Sequence, residues 1–206
     1  MSPAPERRYA QRLSVEERRP QLLDAALEAI VELGYTGATL DVIARRAGVT
    51  KPVIYAAFTD RDAFLAALLD REEARVLAAI TGALPPIEAV TGRRELADLI
   101  ARGVTSLLRV VAAEPAPWLL IFTESDATPE PVRHRIARDR ALIHRGLSEL
   151  IARGATTVGA EGLDPNLVAH AFFAIVERFA RLAADADPSL DPEAAGAVVA
   201  ALATGG

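Results

Sequence analysis

The sequence predicts an all-α chain of about nine helices. Three observations carry this. Apolar residues make up 51% of the 206 and aromatics only 5%. Alanine and leucine recur at helical spacing. Alternating β-branched runs, the mark of half-buried strands, are nearly absent. The length suffices for a real core and one or two domains. With no cysteine, neither a disulfide framework nor a thiolate metal site is available, which suits a reducing compartment.

The elements follow in order. Residues 1–13 are charged and Pro-bearing; they read as a flexible arm without the apolar stretch of a signal peptide. Ser14-Val15-Glu16-Glu17 fits a capping box. Leu22, Leu23, Ala26, Leu27, Ile30 and Leu33 form the apolar stripe of the first helix, which Gly34 is expected to stop. Pro20 removes one of its backbone hydrogen bonds, so this helix is expected to kink there or start later. Thr39 caps the second, Leu40 to Ala47, with Asp41 in its first turn. After a Gly48-Val49 turn, Thr50 caps a short third helix that tolerates Pro52 in its first turn. Thr59 and Asp62 are expected to cap a long fourth helix ending near Gly82, ahead of Pro85-Pro86. Further helices read as 92–113, 116–123, 129–153, 165–186 and 192–203. Three open on a cap followed by proline: Thr128-Pro129, Asp164-Pro165 and Asp191-Pro192.

Two helices joined by a tight glycine turn are the helix-turn-helix arrangement. Leu40, Ile43, Ala44 and Ala47 point one way from the second helix, Val49 plugs the turn, and Ile54 and Phe58 point inward from the third. At 100° per residue, Pro52, Val53, Tyr55 and Ala56 then point outward. Lys51, the only lysine, opens the third helix. The net charge of −5 at first speaks against nucleic acid. Residues 1–60 are balanced, however: Arg7, Arg8, Arg12, Arg18, Arg19, Arg45, Arg46 and Lys51 face as many acids, and residues 61–206 carry the whole deficit. A local positive surface is compatible with that distribution.

Residues 18–65 resemble the N-terminal domain of the TetR family. The resemblance rests on Gly34-Tyr35, Thr39, Ile43-Ala44, Ala47-Gly48-Val49-Thr50, Tyr55-x-x-Phe58, Arg61-Asp62 and Leu65, which agree in order and spacing. Beyond residue 65 only length and helix pattern agree. It implies a three-helix DNA-binding domain over 14–65 and an effector-binding and dimerisation bundle over 66–206. The function implied is a homodimeric, ligand-responsive transcriptional regulator, in the simplest form a repressor released from a palindromic operator by a small molecule. It further implies that residues 39–58 are the helix-turn-helix, that the third helix enters the major groove, and that Thr39, Thr50 and Tyr55 touch phosphates. The sequence departs from the family pattern at Ala57, where a histidine is frequent, and at Ala56, where larger side chains are common. The reading face is therefore Pro52, Val53 and Ala56, nearly free of hydrogen-bonding groups. Lys51 is the one obvious donor for a guanine edge; the apolar atoms suit thymine methyls, and DNA shape is left to supply the rest. Arg45 and Arg46 are candidates for phosphate contact, or a solvated face. Arg7, Arg8 and Arg12 read first as a solvated arm, with minor-groove entry as the alternative.

Residues 66–206 show no hydrolase, phosphate-loop or metal signature. His134, His144 and His170 are the only histidines, and none stands in an E-x-x-H pair. No catalytic residue, metal or cofactor is expected, and Glu124-Ser125-Asp126 reads as loop polarity. A helical enzyme is thus the weakest alternative. A constitutive or architectural DNA binder without effector is the other; a cavity on the order of several hundred Å³ in the larger half separates the two.

Within residues 129–153 the apolar stripe Ile136, Ile143, Leu147, Leu150 and Ile151 contains Arg140, with His144 at its edge. An arginine facing a core needs a partner, either a carboxylate on a neighbouring helix or subunit or an anionic effector. Trp118, Phe122, Phe172 and Phe173 join Arg140 and His144 as candidate pocket residues, though each aromatic also reads as plain core. From Ala194 to Gly206 no charge appears, and a helix apolar all round must be buried. Together with the apolar arc of the preceding helix it suggests a homodimer interface of Val168, Ile175, Phe179, Leu182, Val198 and Leu202. The expected partners are double-stranded operator DNA, an unknown small molecule and a second copy of the chain. No membrane partner is expected, since the uncharged stretches are too short to span a bilayer. A cytoplasmic location follows.

Overall fold

The computed structural model describes residues 14–83, 90–122, 128–155 and 162–204. The arm at 1–13, Pro85-Pro86 and Glu124-Ser125-Asp126 lie outside the described residues. Those described form nine α-helices and no strand: α1 (Val15–Gly37), α2 (Leu40–Arg46), α3 (Lys51–Ala57), α4 (Arg61–Ala83), α5 (Arg93–Ala113), α6 (Ala116–Phe122), α7 (Glu130–Gly154), α8 (Pro165–Ala184) and α9 (Pro192–Thr204). None is long and apolar enough to cross a membrane.

Local chemistry explains most of the boundaries. The capping box forms: Glu17 N donates to Ser14 Oγ at 3.3 Å, and Ser14 N to Glu17 Oε2 at 2.7 Å. The helix then runs through Pro20 rather than starting after it, and its only non-helical residue is Gly34, at φ 69°. Pro20 leaves the Glu16 carbonyl without its bond, but that carbonyl belongs to an exposed first turn where water replaces the amide. Thr39 Oγ1 accepts from Val42 N and caps α2. Asp164 and Asp191 cap α8 and α9 through Asn166 N and Glu193 N.

Three expected caps differ. Thr50 stands at the N-cap of α3, but its hydroxyl makes no capping bond. Asp60, not Thr59 or Asp62, caps α4 by accepting from Ala63 N at 2.7 Å. Thr128 is buried at 2% exposure and Pro129 takes the N-cap position of α7.

Two hydrophobic clusters organise the packing. The first joins α1, α2 and α3 through Leu22, Ile30, Ile43 and Ile54, and takes in Phe64, Leu68 and Leu69 of α4. It also includes Leu120 of α6 and Val132 and Ile136 of α7, so the first cluster does not end at residue 65. The second joins Leu108 and Val111 of α5, Trp118 and Phe122 of α6, Ala180 and Ala183 of α8, and Val199 of α9. Helix α9 lies closely on α5: a Cβ at Gly196 would stand 2.6 Å from the Ala101 carbonyl oxygen and 2.4 Å from Thr105 Oγ1, so only glycine fits.

An ionic chain ties the two halves. Arg71 of α4 donates to the Pro20 carbonyl (3.2 Å), to Asp24 (2.7 Å) and to Glu72 (2.6 Å). Glu72 is fully buried and also accepts from Arg75 at 3.0 Å. Arg75 in turn pairs with Glu114, which follows α5.

Candidate DNA interface and ligand cavity

Helices α2 and α3 present one side to the first cluster and the other to solvent. Ile43, Ala44, Ile54 and Phe58 are buried. Thr39, Arg45, Arg46, Thr50, Pro52, Tyr55 and Ala56 are exposed, while Val53 is half-buried. Lys51 Nζ sits 3.1 Å from Asp41 Oδ2, and Arg46 pairs with Glu32 at 2.5 Å. Both pairs are solvent-facing and therefore weak, easily exchanged for a phosphate or a base edge. Ala57 is buried rather than turned outward. Behind it, Arg19 of α1 donates to the Ala57 carbonyl at 2.5 Å and stacks 4.2 Å above the Phe58 ring. That contact fixes the C-terminal end of α3, where a cation is also favoured by the helix dipole.

The larger half contains a cavity of about 450 Å³ among α4, α5, α6, α7 and α8. Its walls are mainly apolar, including Leu69, Ile80, Trp118, Phe122, Ile136 and Val176. Three exposed apolar residues, Leu77, Leu142 and Ile143, stand at its edge. The polar part of the wall is largely self-paired. Arg140 Nη2 donates to Glu177 Oε1 at 2.8 Å, and Arg181 donates to the same oxygen and to the Phe122 carbonyl. The carboxylate partner anticipated for Arg140 on a neighbouring helix is thus Glu177. Arg135 holds Asp70 and Glu73. Burial pushes the Glu73 carboxyl above its ordinary value, with Asp139 adding to the rise and Arg135 opposing it.

Of the expected pocket residues, Trp118, Phe122, Arg140 and Phe173 line this cavity. His144 instead lines a second hollow between α7 and α8. Phe172 lines neither: it packs against the second hydrophobic cluster. Among the described residues no group of three metal-ligating side chains converges.

Helix α9 is not buried all round. Ala195, Gly196, Val199 and Ala200 face α5, while Ala194, Ala197, Val198, Ala201 and Leu202 form an exposed apolar face. On α8, Ile175 and Phe179 are half-buried against the chain's own second cluster, and Val168 and Leu182 are half-buried too. The uncovered apolar face of α8 is Leu167, Ala171 and Ala174.

Residues 22–68 match the family model of bacterial regulatory proteins of the tetR family. The chain is 29% identical to the HTH-type transcriptional activator FasR of Mycolicibacterium smegmatis over 193 residues, 94% of this chain and 84% of that protein. It is 32% identical to the HTH-type transcriptional regulator BetI of Escherichia coli over 132 residues, 64% of this chain and 67% of BetI. The chain belongs to the TetR family. Solved structures agree on the fold. A TetR-like transcriptional regulator from Rhodococcus sp. RHA1 superposes with a TM-score of 0.72 at 23% identity, covering 93% of this chain and 96% of that one. AibR in complex with isovaleryl coenzyme A and operator DNA gives 0.70 at 17% identity, covering 90% and 97%. FadR from Bacillus subtilis in complex with stearoyl-CoA gives 0.66 at 20% identity, covering 90% and 97%.

In this TetR-family regulator, sequence reasoning missed two kinds of site residue. One is Arg19, whose contact with α3 crosses 38 positions of chain and leaves no local pattern. The other is the contribution of α4 to the cavity, through Leu69, Leu77 and Ile80. A clue was present: the α4 stripe continues well past residue 65, further than a three-helix domain needs.

Proposed function

We propose that this TetR-family protein is a homodimeric repressor that leaves a palindromic operator when an acyl-chain-bearing molecule fills the cavity of its larger half. One observation carries the reading: Leu69 and Ile136 belong both to the cavity wall and to the cluster that holds α1–α3. Filling or emptying the cavity therefore acts directly on the packing beneath the DNA-reading helices. An effector needs only a differential affinity for two spacings of those helices. The cavity's size and apolar wall suit a hydrocarbon chain, and two proteins of the same fold were crystallised with acyl-CoA molecules. Such a cavity also favours a ligand-responsive regulator over an effector-free architectural one. On the DNA side, Thr39, Thr50, Tyr55, Arg45 and Arg46 are assigned to phosphates, and Lys51, Pro52, Val53 and Ala56 to base edges. The exposed apolar faces of α8 and α9 are assigned to the partner copy.

The test begins with operator fragments selected by the purified protein, followed by titration with fatty acids and their CoA thioesters of increasing length. Each buried methylene contributes about 0.8 kcal/mol, so two added carbons should tighten the ligand by roughly tenfold until the cavity is full. Operator release should follow the same order. An operator affinity and a melting temperature indifferent to acyl compounds of every length would defeat the reading.

A further inference from the structure

The second hollow, about 490 Å³ between α7 and α8, shares Arg140 and Phe173 with the apolar cavity. The two are adjacent compartments, and polar groups make up a larger share of the second's lining than of the first's. Where the first is walled by aliphatic and aromatic groups, the second is lined by Arg145, His144, His170, Ser148 and Asn166, with Glu149 its one acid. Arg145 is exposed and has no ion-pair partner among the described residues. The rings of His144 and His170 lie 3.6 Å apart, centroid to centroid, and the buried Nε2 of His144 has no hydrogen-bond partner among those residues. Asn166 brings the first turn of α8 to the same hollow; its amide is taken by Asp164, so this 20-residue helix contributes its dipole field rather than a free N–H. A guanidinium, two imidazoles, a hydroxyl and a carboxamide around one hollow form a donor-rich site of the kind that suits phosphate oxygens.

We propose that the effector is an amphiphile whose acyl tail occupies the apolar cavity while a phosphate-bearing head sits in the α7–α8 hollow, held by Arg145, His144 and His170. This rests on the reading of the apolar cavity as an acyl-chain site. Arg140, fixed by Glu177, marks the level where tail gives way to head. The uncovered α8 face of Leu167, Ala171 and Ala174 lies roughly 100° round the helix from Asn166 and Phe173. His170, three residues after Leu167 and four before Ala174, borders that face, so the hollow opens at the edge of the proposed partner contact.

Titration calorimetry on the full chain separates the parts. Palmitoyl-CoA should bind wild type about tenfold or more tightly than palmitate. Arg145→Glu should erase that advantage and leave palmitate binding unchanged, while Arg145→Lys retains most of it. CoA without an acyl group should compete weakly and inorganic phosphate more weakly still, which assigns the site to the head of an amphiphile rather than to free phosphate. Equal affinity of wild type for palmitoyl-CoA and palmitate would overturn the head site and leave the acyl-chain reading standing. So would an Arg145→Glu variant that weakens both ligands alike. If neither ligand binds, the head site and the acyl-chain reading fall together.

Discussion

Tyr35 illustrates what a single residue reveals about this fold. Its ring is 2% exposed in the first cluster, and its hydroxyl has no hydrogen-bond partner among the described residues. Burial pushes its phenol above the ordinary tyrosine value. A buried hydroxyl without a partner carries a desolvation cost. Tyr35→Phe should therefore raise stability by about 1 kcal/mol, read as a higher urea midpoint with an unchanged slope; a lower midpoint would mean that water satisfies the hydroxyl. Lys51 is the residue to change for DNA reading. Its pair with Asp41 is solvent-facing, so removing the lysine costs the fold little. Lys51→Ala should cost on the order of 1–3 kcal/mol on the selected operator and relax preference at one base pair per half-site. Binding-site selection with the variant decides it, and an unchanged preference at every position would remove Lys51 from base reading. The outward set on α3 was legible because a 100° step fixes it once Ile54 and Phe58 are known to point inward. Val53 is the exception: it lies half-buried, at the margin of the arc.

At the scale of the element, the starts of the helices whose first residue is a proline after aspartate were legible to the residue, because cap and proline act locally. Caps with several candidates were not. Thr59, Asp60 and Asp62 all carry suitable oxygens, and only the backbone path into α4 selects Asp60. Likewise the burial of Thr128 depends on tertiary packing that no local pattern records. The ionic chain across α4 is the element-scale feature with most at stake. Glu72 is fully buried between Arg71 and Arg75, and its removal takes one partner from each, leaving Arg71 on Asp24 and Arg75 on Glu114. Breaking a buried pair costs about 3–5 kcal/mol; both arginines retain some exposure, which argues for the lower end. Glu72→Ala should lower the unfolding free energy by about 3 kcal/mol. A denaturation midpoint that stays put would show the chain to be ornamental.

For the whole molecule, the nine helices of the described residues and the helix-turn-helix in the first of the two halves were legible in outline, through caps, apolar stripes and motif. The shared packing of the halves was not, since Leu120, Val132 and Ile136 meet the first cluster across many tens of residues. The one-sided exposure of α9 was equally hidden, because an alanine-rich helix looks alike from every side. In the proposed dimer, two recognition helices must meet major grooves about 34–36 Å apart, or a multiple of that, and affinity depends on both engaging at once. Val198 is 48% exposed in the single chain, so a charge there is tolerated by the monomer's fold. Buried between copies, the same charge costs several kcal/mol. Val198→Asp should thus give a folded monomer with lost operator binding, although residues 39–58 are untouched. Sedimentation and operator binding on one preparation check this; a folded monomer with full affinity for a palindromic site would sink the dimer model.

The pairing of Lys51 with Asp41 at the start of α3 has a practical corollary in reagent chemistry. Lys51 is the only lysine of the sequence, so it carries the only side-chain primary amine, and that amine is reachable from solvent. An amine-reactive ester applied to the folded protein marks the head of α3 and no other side chain. Operator DNA should shield that amine from acylation, and an effector that releases the DNA should restore it. Mass spectrometry of one peptide then follows operator occupancy without any mutation, with the protein as its own footprinting probe.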